Sequence, residues 1–200
     1  MTAELPSDVQ ASQYLVGELA DELPQRTHRF RMLMALDADF GGSGVMLPGG
    51  PTTHLAYIEA RSSFVAGNFL ATILLSQGLI ENLLGGHLSL DNVSREVRNL
   101  APRESKPLGS RPKIRPLLEH ALEAGIVDSR DIENVNRLMN LRNPLVHFRN
   151  VDDPTNLTRR AMMEGVPHEQ IMYDDARFAI STVVAFVGKT HFAIGRFQDR

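Results

Sequence analysis

The sequence predicts an all-α fold, a bundle of four or five main helices preceded by an N-terminal helical extension. Three observations predict it. Apolar residues recur at three- and four-residue spacing in segment after segment. Helix caps and Gly or Pro stops bound those segments. No segment sustains the apolar–polar alternation of a half-buried strand. The chain divides into residues 1–50, a helical arm ending in a Gly-rich loop, and residues 51–200, the bundle.

Ser7 caps a first helix carrying Val9, Tyr14, Leu15 and Leu19, and Pro24 ends or interrupts it. Phe30, Leu33, Met34 and Ala35 form a second short apolar turn. Gly41 to Gly44 and Leu47 to Pro51 read as a loop. Thr52 or Thr53 caps a long helix that runs to about Leu84, where Gly85-Gly86 stops it. Asp91 caps a shorter helix through Leu100, and Pro102 to Pro112 is a loop. Ile114, Leu117, Leu118 and Leu122 line one face of a helix over 113–124, which Gly125 stops. Asp128 or Ser129 caps the next, with Ile132, Val135, Leu138, Met139 and Leu141 inward. A short amphipathic piece spans Leu157 to Glu164. The last helix runs from Tyr173 to Phe197 on a stripe of Ala176, Ile180, Val183, Val184 and Val187.

Two hundred residues suffice for one buried core. The apolar fraction of 42% and charged fraction of 22% are those of a globular protein, which excludes disorder throughout. Cysteine is absent, so there is no disulfide framework and no thiolate zinc site. The N-terminus shows neither the basic nor the apolar region of a signal peptide. The most apolar stretch, Phe64 to Leu84, is interrupted by Asn68, Gln77, Glu81 and Asn82, so it reads as a core helix and not a membrane span. These features point to a cytoplasmic protein with no membrane partner. The net charge of −3 rules out a blanket nucleic-acid surface. Arginines and lysines nevertheless crowd between Arg95 and Arg160, where a local basic face could meet phosphates.

The most informative segment is Leu141-Arg142-Asn143-Pro144-Leu145-Val146-His147-Phe148. On an unbroken helix, side chains five apart point about 140° from one another. Pro144 donates no N–H and disfavours the helical conformation at Asn143. One helix should therefore end near Leu141 or Arg142, and a new one should start with Asn143 as its N-cap. Arg142 and His147 could then converge on one cleft. His147 would sit in a first turn, where the helix dipole disfavours an imidazolium and free N–H groups could hold a phosphate oxygen. A neutral histidine can take a proton from a ribose 2′-OH, and an arginine can hold the phosphoryl oxygens with two N–H bonds. The spacing alone is weak, because Arg115 and His120 repeat it without the Asn. The structural alternative is a helix corner held by an Arg–carboxylate pair and a capping Asn.

With its Arg-Asn-x-x-x-His pattern, this segment resembles the signature of the HEPN superfamily. The resemblance covers about Thr52 to Phe197 and leaves the first fifty residues as an extension without a role. It implies a HEPN-like helical bundle that forms a homodimer with the two motifs facing each other. It also implies a metal-independent endoribonuclease of toxin–antitoxin, defence or RNA-processing type, with RNA as substrate and an antitoxin or regulatory protein as partner. On that reading Arg142 and His147 are catalytic, and Asn143 organises the kink or contacts RNA. Arg149 belongs to the RNA-binding set, and Glu81 is a looser candidate near the end of the long helix. Leu117 to Arg142 is also similar to the mannitol operon repressor type, which implies a non-catalytic regulator or interaction module on the same fold.

Gly41-Gly42-Ser43-Gly44 is not followed by Gly-Lys-Ser/Thr, so it is not read as a nucleotide loop. The histidines at 28, 54, 87, 120, 168 and 191 form no metal-ligand pattern, and no cofactor or metal is expected. Tyr173-Asp174-Asp175 reads as a helix N-terminus, where acids suit the dipole.

Overall fold

A computed structural model describes residues 7–37, 45–97, 112–190 and 192–193. The Gly41 to Gly44 loop, most of the Pro102 to Pro112 loop, Leu100 and His191 lie outside the described residues, as does the stretch from 194 onward. Seven helices account for nearly all of what is described: α1 (Asp8–Asp37), α2 (Gly50–Ala66), α3 (Phe69–Val97), α4 (Ile114–Glu123), α5 (Ser129–Val146), α6 (Leu157–Glu164) and α7 (His168–Thr190). Two two-residue strands, β1 (Val45–Met46) and β2 (Phe192–Ala193), pair antiparallel with Val45 opposite Ala193. The class is all-α, as the periodicity predicts.

Helix α3 is the centre of the bundle, with α2 and α7 as its main neighbours and α4 and α5 beside them. By length and composition Phe69–Asn92 could cross a membrane. Here its Ile73, Leu79, Ile80, Leu83, Leu84 and Leu88 are buried against other helices. Leu33 of α1 and Leu47 of the following loop join the same core. Tyr173 of α7 stacks on Phe64 of α2 at 6.3 Å and meets the edge of Phe69 at 5.6 Å. Its hydroxyl reaches Met32 Sδ of α1 at 3.3 Å.

Caps form at Ser7, Asp128 and Gly125 as the sequence predicts, but not at Thr52 or Thr53, because α2 starts earlier, at Gly50, with Gly49 in the left-handed conformation as its N-cap. Ser7 and Gln10 exchange backbone and side-chain hydrogen bonds as a capping box at the start of α1. Gly125 takes the left-handed conformation just past α4. Predicted breaks fare less well, and in each case packing decides. Pro24 neither ends nor interrupts α1, although proline inside a helix costs about 3 kcal/mol. Beyond Pro24 the helix is held on the bundle by Leu33, Met32 and Arg29.

The long helix predicted from 52 to 84 is instead two. It breaks at Gly67, whose left-handed backbone lets Asn68 N–H return to Ser63 O at 2.8 Å. Arg29 closes that end. Its Nε donates to Val65 O at 2.9 Å, where a cation suits the helix C-terminus. Only 8% exposed, Arg29 has its pKa drawn below the usual arginine value by desolvation.

Gly85-Gly86 does not stop α3, which continues through Asp91. Gly86 serves close packing instead. A Cβ on Gly86 would stand 2.2 Å from the nitrogen of Gly49, so only a glycine lets the Pro48-Gly49 turn lie on α3. Helix α7 starts at His168, before the predicted Tyr173, and its described part ends at Thr190. Its predicted stripe is buried throughout. Asp175 is not an N-terminal acid but a buried partner of Arg160.

Candidate functional site

Helix α5 carries the Arg142–His147 segment, and its two ends define the site. At the start, Asp128 accepts the Asp131 N–H at 3.0 Å and the Asp131 carboxylate accepts the Asp128 N–H at 2.8 Å. This is a capping box made of two aspartates. The hydrogen bond from the Asp131 N–H is the main reason the exposed Asp128 carboxyl lies below its usual pKa. Lys189 of α7 ties to Asp131 and stands 3.6 Å from Asp128. Val135 and Leu138 are then fully buried, and Arg137 lays its guanidinium 4.1 Å over the Phe178 ring.

The break predicted at Asn143 does not occur. Helix α5 runs through Pro144 to Val146, and His147 is the residue that caps its end. Proline in a last turn removes one helical hydrogen bond, and Leu145 holds that turn by packing against the core. The Asn143 carbonyl accepts the His147 N–H at 3.1 Å and closes the helix. His147 itself is extended, with φ −124 and ψ 133.

Two consequences expected from a new helix start therefore fall away. His147 follows a helix C-terminus, where carbonyl oxygens rather than N–H donors face outward, so there is no backbone cradle for a phosphate. Arg142 lies one turn back on a continuous helix, so the kink that would turn it toward His147 is missing.

What remains is a set of side chains without structural employment. Arg142 is half-buried, and among the described residues its one hydrogen bond is a 3.5 Å contact to Asn143 Oδ1. It has no carboxylate partner among those residues, which argues against the helix corner held by an ion pair. His147 is exposed, and its ring has no hydrogen bond or ion pair among the described residues. Phe148 is 95% exposed. Arg149 is 3.8 Å from Asp153, while its Nε is shielded from solvent without a partner. The following turn is well tied. Asn156 donates to the Arg149 carbonyl at 3.1 Å and caps α6 through Thr158 and Arg159. The Thr155 hydroxyl and N–H hold the half-buried Asp153 carboxyl below its usual pKa.

Glu81 lies in the middle of α3 rather than near its end, accepts from Gln77 Nε2 at 2.9 Å, and makes no ion pair with Arg142 or Arg149. A groove of about 360 Å³ runs along another face of α5, lined by Arg137, Asn140, Leu141 and Pro144 with Arg160 and Met163 of α6. Arg142, Asn143 and His147 do not line it. Arg160 there is committed to Asp175 through two bonds of 2.6 and 2.9 Å, which raise its pKa. The second Arg–His spacing is absorbed by the fold, since His120 Nδ1 meets the Pro116 carbonyl of its own helix at 2.8 Å. Among the described residues no three His, Asp or Glu side chains converge as metal ligands.

Sequence reasoning missed Phe148 as a surface group, because an aromatic next to a motif is read as core until its exposure is known. It also missed the Arg160–Asp175 and Lys189–Asp131 pairs, which join segments far apart in the chain. No family model matches the chain, and neither a curated protein nor a solved structure matches it.

Proposed function

We propose that the C-terminal end of α5 binds and cleaves single-stranded RNA without a metal, as a HEPN-type endoribonuclease acting as a homodimer. The observation that carries this reading is that, among the described residues, Arg142 and His147 make no ion pair and Arg142 has only a 3.5 Å contact to its neighbour Asn143, beside a Phe148 that is 95% exposed. An arginine and a histidine kept for structure would be expected to have partners. Exposed aromatic rings beside cations suit stacked bases and a phosphate backbone.

The unbroken helix shapes the mechanism. Arg142 lies on the helix and His147 just past its end in extended backbone, with no kink to turn one toward the other, so the two chemical roles are assigned to different protomers facing each other. His147 of one protomer takes the proton from a ribose 2′-OH as that oxygen attacks the adjacent phosphorus. Arg142 of a second copy holds the non-bridging oxygens. The P–O5′ bond breaks, the 5′-oxygen leaves with a proton, and a 2′,3′-cyclic phosphate remains. On this reading Asn143 and Arg149 contact the strand. Such an enzyme would act in the cytoplasm, with an antitoxin or regulatory protein as its natural restraint.

One observation favours a second reading, a non-catalytic regulator of the mannitol operon repressor type. The groove beside α5 is lined by Leu141 and Pro144 of the motif but not by Arg142, Asn143 or His147. Incubating labelled single-stranded RNA with the protein in EDTA separates the two. The nuclease reading expects cyclic-phosphate ends that disappear in His147→Ala. Absence of cleavage across the pH range, or equal cleavage by His147→Ala, overturns it.

A further inference from the structure

Among the described residues Arg29 is the one buried cation, and none of those residues gives it a counter-ion. A buried charge is costly unless it is paired. Only one of its N–H donors is used, the Nε that bonds Val65 O at 2.9 Å. Its guanidinium carbon lies 5.6 Å from the centre of the Phe69 ring. Glu22 is the carboxylate whose charge Arg29 feels most, but Glu22 is held by Arg26 at 2.6 Å. Capping the C-terminus of α2 accounts for Nε alone. It leaves Nη1 and Nη2 without a hydrogen bond among the described residues.

Arg29 lines a groove of about 550 Å³, a size suited to a small molecule. Pro24, Gln25 and His28 share the α1 wall with it. Phe69 comes from the start of α3 and Tyr173 from α7, and the two rings meet edge to face at 5.6 Å. Two aromatic rings at a fixed angle therefore stand beside one arginine. Glu169 lies on the same groove, exposed to solvent, and makes no ion pair among the described residues.

We propose that this groove binds a small aromatic monocarboxylate, with its carboxylate on Nη1 and Nη2 of Arg29 and its ring against Phe69 and Tyr173. A carboxylate accepts two parallel N–H bonds from one guanidinium, so it supplies the counter-ion that Arg29 lacks. An aromatic body matches the aromatic walls, and the bonds of Nε and the contact with Phe69 hold the guanidinium ready before the ligand arrives. A phosphate fits less well, because its second negative charge would find no second arginine on the groove and would face Glu169. A cation would meet Arg29 itself. Arg142, Asn143 and His147 do not line this groove, and the proposal does not rest on the ribonuclease reading.

The full-length protein is titrated with benzoate, with its neutral counterpart benzamide, with acetate and with inorganic phosphate, each followed by ligand-detected NMR. Benzoate should bind about 10- to 150-fold more tightly than benzamide, the difference expected of hydrogen bonds to a charged group. Acetate, which lacks the ring, should bind more weakly than benzoate, and phosphate should not displace benzoate. Gln25→Glu keeps the test independent of folding. Gln25 lies one turn before Arg29 on the same helix, so a glutamate there offers Arg29 a carboxylate from within the chain. The unfolding midpoint of Gln25→Glu should be unchanged or raised, while its affinity for benzoate falls by at least about tenfold. Arg29→Lys, which keeps the charge but not the planar fork, should also weaken benzoate. Benzamide or acetate binding as tightly as benzoate, displacement of benzoate by phosphate, or undiminished binding to Gln25→Glu overturns the site. RNA cleavage is not read in any of these titrations, so failure here leaves the nuclease reading intact, and the reverse.

Discussion

At the start of α5 both capping carboxylates are engaged. Asp128 and Asp131 cap one another, and Lys189 anchors both to α7. At the other end, eighteen residues of helix later, Arg142 and His147 have no ion pair among the described residues, and Phe148 stands in solvent. Both ends sit on the same rigid element, buried at Val135 and Leu138. Where polar groups are satisfied they hold the fold. Where they are held in place but left unsatisfied, something outside the chain can use them.

The comparison is most easily broken at the structural end. Asp131→Ala removes a cap and leaves Lys189 facing only Asp128. Asp131 is 5% exposed, so the loss should be about 2–3 kcal/mol, moderated by the exposure of Lys189. For a chain of this size that lowers the unfolding midpoint by roughly 4–12 °C in thermal circular dichroism. A drop near zero would mean that this end is not the structural one.

Phe148→Ala sharpens the contrast from the other side. The unfolding midpoint should stay put, while affinity for a short single-stranded RNA, read by fluorescence anisotropy, should fall roughly 5- to 150-fold if one stacked base is worth about 1–3 kcal/mol. An unchanged affinity would remove the ring from the binding surface.

Acid pH gives a smaller and directional effect. The Asp128 carboxyl lies below its usual pKa because Asp131 N–H bonds its charged form. Its contribution to stability is therefore complete above the ordinary aspartate value, about 3.8, and is lost as pH falls through the lower folded value. Asp128→Asn should flatten that acid limb of the stability curve. The smallest effect expected is on the stability of Arg142→Ala, within about 0.5 kcal/mol of the parent by urea unfolding.

How much of this was legible in the sequence follows from what each signal depends on. Caps depend on neighbours three residues away, so Ser7 with Gln10, Asp128 with Asp131 and the Gly125 stop can be read directly. The apolar stripe of α7 is legible for the same reason, since periodicity is local. Breakers are different, because each weighs a local penalty against distant packing. Pro24 and Pro144 are overruled by Leu33 and Leu145, and Gly86 is a contact point for Gly49 rather than a stop. Gly67 does end a helix, in company with Arg29 from another element, a pairing no window of sequence displays. At the candidate site, residue types are legible and their employment is not. Arg142–His147 and Arg115–His120 share one spacing, but only the fold shows that His120 is bonded within its own helix and that His147 is free of such a bond among the described residues.

The measurement that bears most directly on the two ends of α5 is made on one preparation of His147→Ala, read twice. Its unfolding midpoint should match that of the parent within about 2 °C. Its rate of RNA cleavage in EDTA should fall by about 10²- to 10⁴-fold, the usual loss when a general base is removed. A protein that unfolds early, or one that cleaves as fast as the parent, would contradict the assignment of this end of the helix to function.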